Sequence, residues 1–473
     1  MPFRLCRSKT EAALFFAVWL ACLFFTDLTY NTNFDSRYYL AKALVERRSF
    51  CLTPDHDRVG PDQALYDGRY YSDKPPGSAV LMLPAFLLAR LPLSLPGLPA
   101  RGTEKYDRLH AWFTRALSSC LLAALAVVLF ARLAARYLDE PAALFAALAG
   151  YLTTTAVAQD THATGEVFTT ALVLASFHQL LPETDRPGRP LLAGLAAAAA
   201  ALVTYQAALI AVGGLLYLAL GRDRRGALRY LAPLGAAAFL ILLYNRLLFG
   251  GWWNFPVLFF TDTLGDSAFT TNFEWPSAGK LYQMLFSPYR GIFFYSPFLL
   301  LTLAGARDFC RRDRAAAAGL GGAFFAVFAF YLFNQGWYAG WDYGWRYILI
   351  VQPLFALPAW TWFAGRRRHG PEIILLAWGG ALAAIGLLPS LFDIPSITDF
   401  QNPIFLLWLP NLLRFGPVSA LTDFWWWATG APLSPALAWS SSLLVLGGLW
   451  AFCLCLGFSA RRERQAEPES KPD

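Results

Sequence analysis

The sequence predicts an all-α polytopic membrane protein of about twelve transmembrane helices, and three observations predict it. Hydrophobic residues make up 56% of the 473 positions. Charged residues supply only 15%, against the roughly 25% usual in soluble domains. Third, the basic residues fall in short clusters between long apolar runs, which is the distribution of cytoplasmic loops. The formal charge of +7 is therefore dispersed along a membrane boundary, not gathered into a stripe. Nothing resembling a nucleic-acid-binding module accompanies it.

The clusters are Arg4 to Lys9, Arg132 to Arg136, Arg186 to Arg189, Arg222 to Arg229, Arg307 to Arg314, Arg366 to Arg368 and Arg461 to Arg464. If all are cytoplasmic, every interval between neighbours holds an even number of spans. The apolar runs pair accordingly as 11–30 with 109–131, then 141–158 with 164–181. Leu191 to Leu220 becomes two short spans turning near Thr204 to Gln206. The remaining pairs are 228–248 with 292–306, 315–333 with 346–364, and 371–391 with 434–458. Arg4, Arg7 and Lys9 ahead of an apolar run imitate a signal peptide, but there is no small-x-small cleavage site before Asp27. The run is thus read as an uncleaved first helix. Residues 1–460 form a single multi-pass domain, and 461–473 a charged, apolar-poor cytoplasmic tail expected to be disordered.

Parity also organises the first outer loop, residues 31–108. Ala79 to Leu91, followed by Pro92 and Pro96, falls short of the roughly 20 residues a span needs. Counted as a span it would put Arg132 and Arg136 outside, so it is expected to dip into the outer leaflet and return. Residues Tyr38 to Phe50 alternate apolar and charged side chains and read as an amphipathic helix in the interface. A cysteine placed at Leu98 is accordingly expected to react with an impermeant thiol reagent added outside. Labelling only after the inner face is opened would overturn this topology.

The other outer segments are 159–163, 249–291, 334–345 and 392–433. They carry Trp252, Trp253, Trp275, Trp337, Trp341, Trp345 and Trp425 to Trp427, of which most suit headgroup anchoring and the rest a cavity wall. The seven cysteines, Cys6, Cys22, Cys51, Cys120, Cys310, Cys453 and Cys455, leave only Cys51 outside. They read as small apolar filler.

Chemistry-bearing residues concentrate at the outer ends of the spans. Asp35 follows the first apolar run. An acid there is ordinarily a solvated charge, yet a carboxylate at this depth suits a general base for an acceptor hydroxyl. A lipid-phosphate leaving group calls for fixed positive charge, which Lys74, Arg346 and Arg290 would supply. Arg346 and Arg290 sit at expected helix starts, where the helix end adds to an anion site, although interfacial arginines also snorkel there. Arg37 and Lys42 are weaker candidates for that charge, since an amphipathic helix needs bases on its polar face regardless. In the second loop Asp160 and Glu166 are both candidates for a second acid. Glu166 would also be favoured simply by a helix start. His162 accompanies them. Asp55, His56, Asp57 and Asp62 are metal-ligand types near one another, without the spacing that defines a site.

Several of these stretches carry a resemblance. Asp35 with Arg37-Tyr38-Tyr39-Leu40-Ala41, and then Asp67-Gly68-Arg69-Tyr70-Tyr71-Ser72-Asp73-Lys74-Pro75-Pro76-Gly77, resemble membrane glycosyltransferases of the GT-C class. Within the class they are similar to the protein O-mannosyltransferase and aminoarabinose transferase superfamily. Ser287 to Pro297 and Trp341 to Tyr347 are similar to a bacterial branch, so the resemblance touches 30–80, 140–180 and 285–350. It implies a GT-C fold in the plasma membrane and transfer of a hexosyl or pentosyl group from a polyprenyl-phosphate sugar. The acceptor would be a lipid, glycan or protein at the extracytoplasmic face. It implies Asp35 as base, Lys74 near the phosphate, an acid from the second loop, and Asp73, Tyr38, Tyr71 and His162 in support. No cofactor follows, and a divalent cation is left open, since a diphosphate donor would call for one more than a monophosphate. The rival class is a lipid-linked-sugar flippase or transporter, which ordinarily places ionisable groups at mid-membrane depth.

Overall fold

The computed structural model describes residues 7–26, 28, 32–162, 164–183, 187–260, 272–340, 342–366, 370–388 and 402–466. Cys6, Arg4, Arg186, Trp341, Arg367, Arg368 and the last residues of the tail lie outside the described residues.

A helix stands at each apolar run. Lys9–Phe25 (α1) is capped by the Ser8 side chain. The first outer loop holds α2 (Thr32–Arg47), β1 (Gln63–Tyr66), β2 (Arg69–Ser72) and α3 (Gly77–Leu88). The second run begins early as α4 (Glu104–Leu117), breaks at Ser118 and continues as α5 (Ser119–Ala134). There follow α6 (Glu140–Leu152), α7 (Ala156–Thr161), α8 (Gly165–Leu180) and α9 (Pro190–Val203). A 3-10 turn, Tyr205–Leu209, leads into α10 (Ile210–Leu220), as the expected turn near Thr204 requires. Beyond are α11 (Arg224–Phe249), α12 (Leu301–Arg312), α13 (Arg314–Phe333), α14 (Gln352–Ala364), α15 (Gly370–Leu387), α16 (Ala420–Thr429) and α17 (Pro435–Ala466).

Among the described residues five helices are long and apolar enough to cross a membrane, and a sixth if Ile404–Phe415 and α16, bent by 49°, count together. The remaining runs are shorter or interrupted. The run expected over 292–306 starts with a single turn at Ile292–Tyr295, and Pro297 then separates it from α12. Irregular backbone at such depth is tolerated where protein surrounds it, and Phe298 and Leu299 are buried. Close helix approach depends on residues without side chains. A methyl group on Gly194 would lie 2.3 Å from the Tyr230 carbonyl oxygen of α11, and one on Gly213 2.2 Å from the Gly319 oxygen of α13. At the end of α1 bearing the basic cluster, Glu11 receives Arg132 of α5 at 2.6 Å, and both are buried. Such a pair fixes register more than it stabilises.

Three expectations need correction. The first loop is not two surface helices: α2 starts at Thr32, so Asp35 lies in its first turn, and residues 33–41 are all buried. Its charged face is turned onto other polar groups inside the protein. Second, β1 and β2 form an antiparallel hairpin pairing Gln63 with Ser72. Asp67 and Gly68 both take positive φ, 50° and 70°, the two-residue turn that such a dipeptide favours. Third, α17 runs on through Ala466, past the expected start of the tail at 461. The aromatic residues divide as a mixed role requires: Trp253 and Trp275 are exposed, while Trp337 and Trp345 are buried.

Candidate active site

The two ends of the first loop meet. Ser36 in α2 and Ser72 at the end of β2 share a hydrogen bond of 2.7 Å, and both are fully buried. Ser72 then accepts the backbone N–H of Lys74 at 3.2 Å, which fixes the turn ahead of Pro75-Pro76. Asp35 and Arg37 flank Ser36 on opposite sides of the helix, about 200° apart at 100° per residue. Asp35 is 3% exposed and Arg37 4%.

On the Arg37 side a cluster of charges assembles from four distant segments. Lys74 Nζ reaches Asp73 and, at 3.3 Å, Asp62. Arg346 contacts Asp342 at 3.1 Å and Glu166 at 3.8 Å. Arg37 donates to the side chain and carbonyl of Asn33, within the field of Glu166, Asp73 and Asp62. Gly165, the residue before Glu166, makes room for it. A methyl group there would stand 2.4 Å from an Arg37 nitrogen and push the guanidinium aside. Burial raises the Asp73 carboxyl pKa, with Lys74 opposing the rise. For Lys74 burial acts downward, and Asp62 and Asp73 outweigh it to leave the ammonium above its usual range.

Several buried polar atoms of this cluster have no hydrogen-bond partner among the described residues: Arg37 Nε, Asp73 Oδ1, Glu166 Oε2 and Arg346 Nε. Buried groups are ordinarily paired, and unpaired ones cost about 1–3 kcal/mol each. A concentration of them in one place is the mark of a ligand site.

The second loop resolves its own ambiguity of position. Glu166, in the first turn of α8, is the acid that faces Arg346. Asp160, in α7, lies instead at an apolar crevice of about 70 Å³ among Val127, Tyr151, Val167, Phe298 and Trp360. Burial there pushes its carboxyl up to about 8, against a hydrogen bond from Tyr151. Its neighbour Gln159 donates to the Asp342 carboxylate and to the Tyr343 carbonyl, both at 2.6 Å. His162 is buried beside them at the end of α7.

Arg290 meets this cluster through backbone carbonyls. Its guanidinium donates to the carbonyls of Asp342 and, at 2.6 Å, Gly340, so it holds the 340–346 loop from beneath. The expected helix starts are also absent at both arginines. Arg346 opens a three-residue 3-10 turn, Arg346–Ile348, well ahead of α14, and Arg290 precedes only the single turn Ile292–Tyr295. Positive charge here comes from side chains. Tyr38 is likewise occupied elsewhere, with its hydroxyl 2.9 Å from His110 Nδ1. Tyr71 packs on Phe249 in a small separate core.

In the sequence Arg37 ranks only as a weaker candidate, and nothing there assigns Asp62 or Asp342 to this cluster. Asp62 parts from Asp55, His56 and Asp57: Asp55 pairs with Lys42 at 3.2 Å and Arg47 at 2.8 Å, while His56 stacks on Tyr70 and lies 3.3 Å from Asp57. Among the described residues no three metal-ligand side chains gather. The signal for Arg37 was its position two residues from Asp35; nothing in the sequence told its face from a solvated one.

Residues 111–248 match the family model described as dolichyl-phosphate-mannose-protein mannosyltransferase. Two crystal structures of ArnT from Cupriavidus metallidurans share the fold. For the apo form the TM-score is 0.51 at 16% identity, over 95% of this chain and 75% of that one. For the form bound to undecaprenyl phosphate it is 0.50, with the same identity and coverage. No curated protein matches the sequence. The expected all-α membrane fold is borne out, and the family model matches residues 111–248, downstream of the first loop.

Proposed function

We propose that this protein is a membrane glycosyltransferase that moves a sugar from a polyprenyl-phosphate donor to an acceptor hydroxyl at the extracytoplasmic membrane surface. One observation carries the reading: buried cations with unpaired nitrogens stand beside the helix bearing Asp35, within a fold shared with a protein crystallised on undecaprenyl phosphate. Lys74, Arg346 and Arg37 offer the donor phosphate its counter-charge, and Arg290 acts by holding the Arg346 loop. Asp35, on the other side of Ser36, takes the proton from the acceptor hydroxyl. The acceptor oxygen then bonds to the anomeric carbon as the bond from that carbon to the phosphate oxygen breaks, and the electron pair leaves with the phosphate. Base and phosphate stand on opposite sides of the reacting carbon in such a displacement, only about 5 Å apart, so both must reach that carbon around the N-terminal end of α2, where Asp35 and Arg37 lie in its first two turns.

The carboxylates have a role in the free enzyme. Buried cations without counter-ions are strongly unfavourable, so Asp62, Asp73, Glu166 and Asp342 keep the site charged and folded until the phosphate arrives. The weaker ion pair, Arg346 to Glu166 at 3.8 Å, is the one a phosphate oxygen would replace.

Purified protein in detergent, supplied with polyprenyl-phosphate-linked hexose or pentose and a hydroxyl acceptor, is expected to release free polyprenyl phosphate and transfer the sugar. Movement of the lipid between leaflets of a vesicle without turnover would replace this reading with that of a flippase.

A further inference from the structure

A second set of unpaired polar groups adjoins the cation cluster and is not used by the mechanism above. Tyr205 Oη, in the 3-10 turn before α10, and Tyr244 Oη, near the end of α11, are buried and have no hydrogen-bond partner among the described residues. A tyrosine hydroxyl in apolar surroundings ordinarily finds one.

Both sit beside the segment that carries Asp73. Gly77, four residues beyond Asp73, lies so close to the chain at Leu202 that a methyl group on it would stand 2.3 Å from that carbonyl oxygen. Leu202 is three residues before Tyr205. Thr204, immediately before Tyr205, bonds Thr169 at 2.8 Å, and Thr169 in turn bonds the Gly165 carbonyl at 2.9 Å. The turn holding Tyr205 is thereby tied to the first turn of α8, which bears Glu166. Tyr244 shares a small core with Phe249 and with Tyr71, which stands in β2 two residues before Asp73. Three segments thus bring two phenol hydroxyls and the unpaired Oδ1 of Asp73 to one edge of the phosphate-binding cluster.

We propose that Tyr205, Tyr244 and Asp73 form the wall that recognises the hydroxyl groups of the donor sugar. The inference rests on the glycosyltransferase reading and adds to it a place for the sugar. Phosphate needs cations, whereas a neutral sugar needs donors and acceptors in an aromatic setting. Phe255, 5.3 Å from the Tyr205 ring, and Phe50, 5.3 Å from the Tyr244 ring, supply that setting. The two phenols can each give and accept a hydrogen bond, and the carboxylate accepts from a sugar hydroxyl.

The test compares binding of polyprenyl phosphate with that of its hexosyl and pentosyl forms, using the whole protein and the variants Tyr205→Phe and Tyr244→Phe. The wild type is expected to hold one glycosylated lipid more tightly than the sugar-free lipid. Each variant should lose about three- to tenfold of that affinity, the size of one neutral hydrogen bond, with sugar-free binding unchanged. Neither variant should melt lower, since removing an unpaired buried hydroxyl leaves no partner stranded. Unchanged affinity for every lipid, equal losses for glycosylated and sugar-free lipid, or a wild type indifferent to the sugar would each overturn the proposal. A wild type that binds neither lipid would instead remove the glycosyltransferase reading on which it rests.

Discussion

Replacing Asp35 with Asn is expected to reduce glycosyl transfer by about 10²- to 10⁴-fold, the range that a positioned general base contributes. The two side chains have nearly the same shape, so the substitution removes the proton acceptor and its negative charge without opening a cavity. Asp35 is 3% exposed in the first turn of α2, where an acid also complements the helix dipole; that second effect is worth only about 0.3–1 kcal/mol. The variant should bind sugar-free polyprenyl phosphate unchanged, because the cations lie around the helix from residue 35, and that binding reports that it is folded. The discriminating measurement is single-turnover transfer at saturating donor. Turnover within a few-fold of the parent would move the base elsewhere, and Glu166, whose Oε2 is buried and unpaired among the described residues, would be the next candidate.

The contrast between Asp35 and Arg37 shows what the sequence could and could not convey. The membrane class and the place of most long helices were legible because apolar runs are local and long. The hairpin was also legible, since Asp67-Gly68 between alternating residues is a turn signal in its own right. The burial of α2 was not legible. An amphipathic helix on a membrane surface and one whose polar face meets polar partners inside the protein have the same residue pattern. Ser36 finds its partner at position 72, and Arg37 finds its space at Gly165, so long-range packing decides the matter. For the same reason Arg290 and Arg346 looked alike in sequence, each beside an aromatic residue ahead of an apolar run. One grips backbone carbonyls and the other faces carboxylates, and only the path of the 340–346 loop distinguishes them.

Arg346→Met is expected to have the other large effect, and it must be separated from simple loss of structure. Arg346 is the counter-ion of Asp342 at 3.1 Å and of Glu166 at 3.8 Å, both buried carboxylates. Deleting one partner of a buried pair costs roughly 3–5 kcal/mol, because the remaining charge is stranded. A large drop in melting temperature in the single variant would thus say nothing about phosphate. The informative protein is the triple variant Arg346→Met, Asp342→Asn, Glu166→Gln, which removes the stranded charges together with the cation. Asn at 342 still offers an oxygen to the Gln159 amide and the Tyr343 N–H, which both use Asp342 Oδ1. The triple variant should regain most of the lost stability, since neutral isosteres in place of a buried ion set are often tolerated. Its affinity for polyprenyl phosphate should nevertheless stay at least about tenfold below the parent, one charge-assisted phosphate contact at about 1.5–3 kcal/mol being gone. A stable triple variant that binds polyprenyl phosphate as tightly as the parent would confine Arg346 to a structural role and leave Lys74 and Arg37 to hold the phosphate.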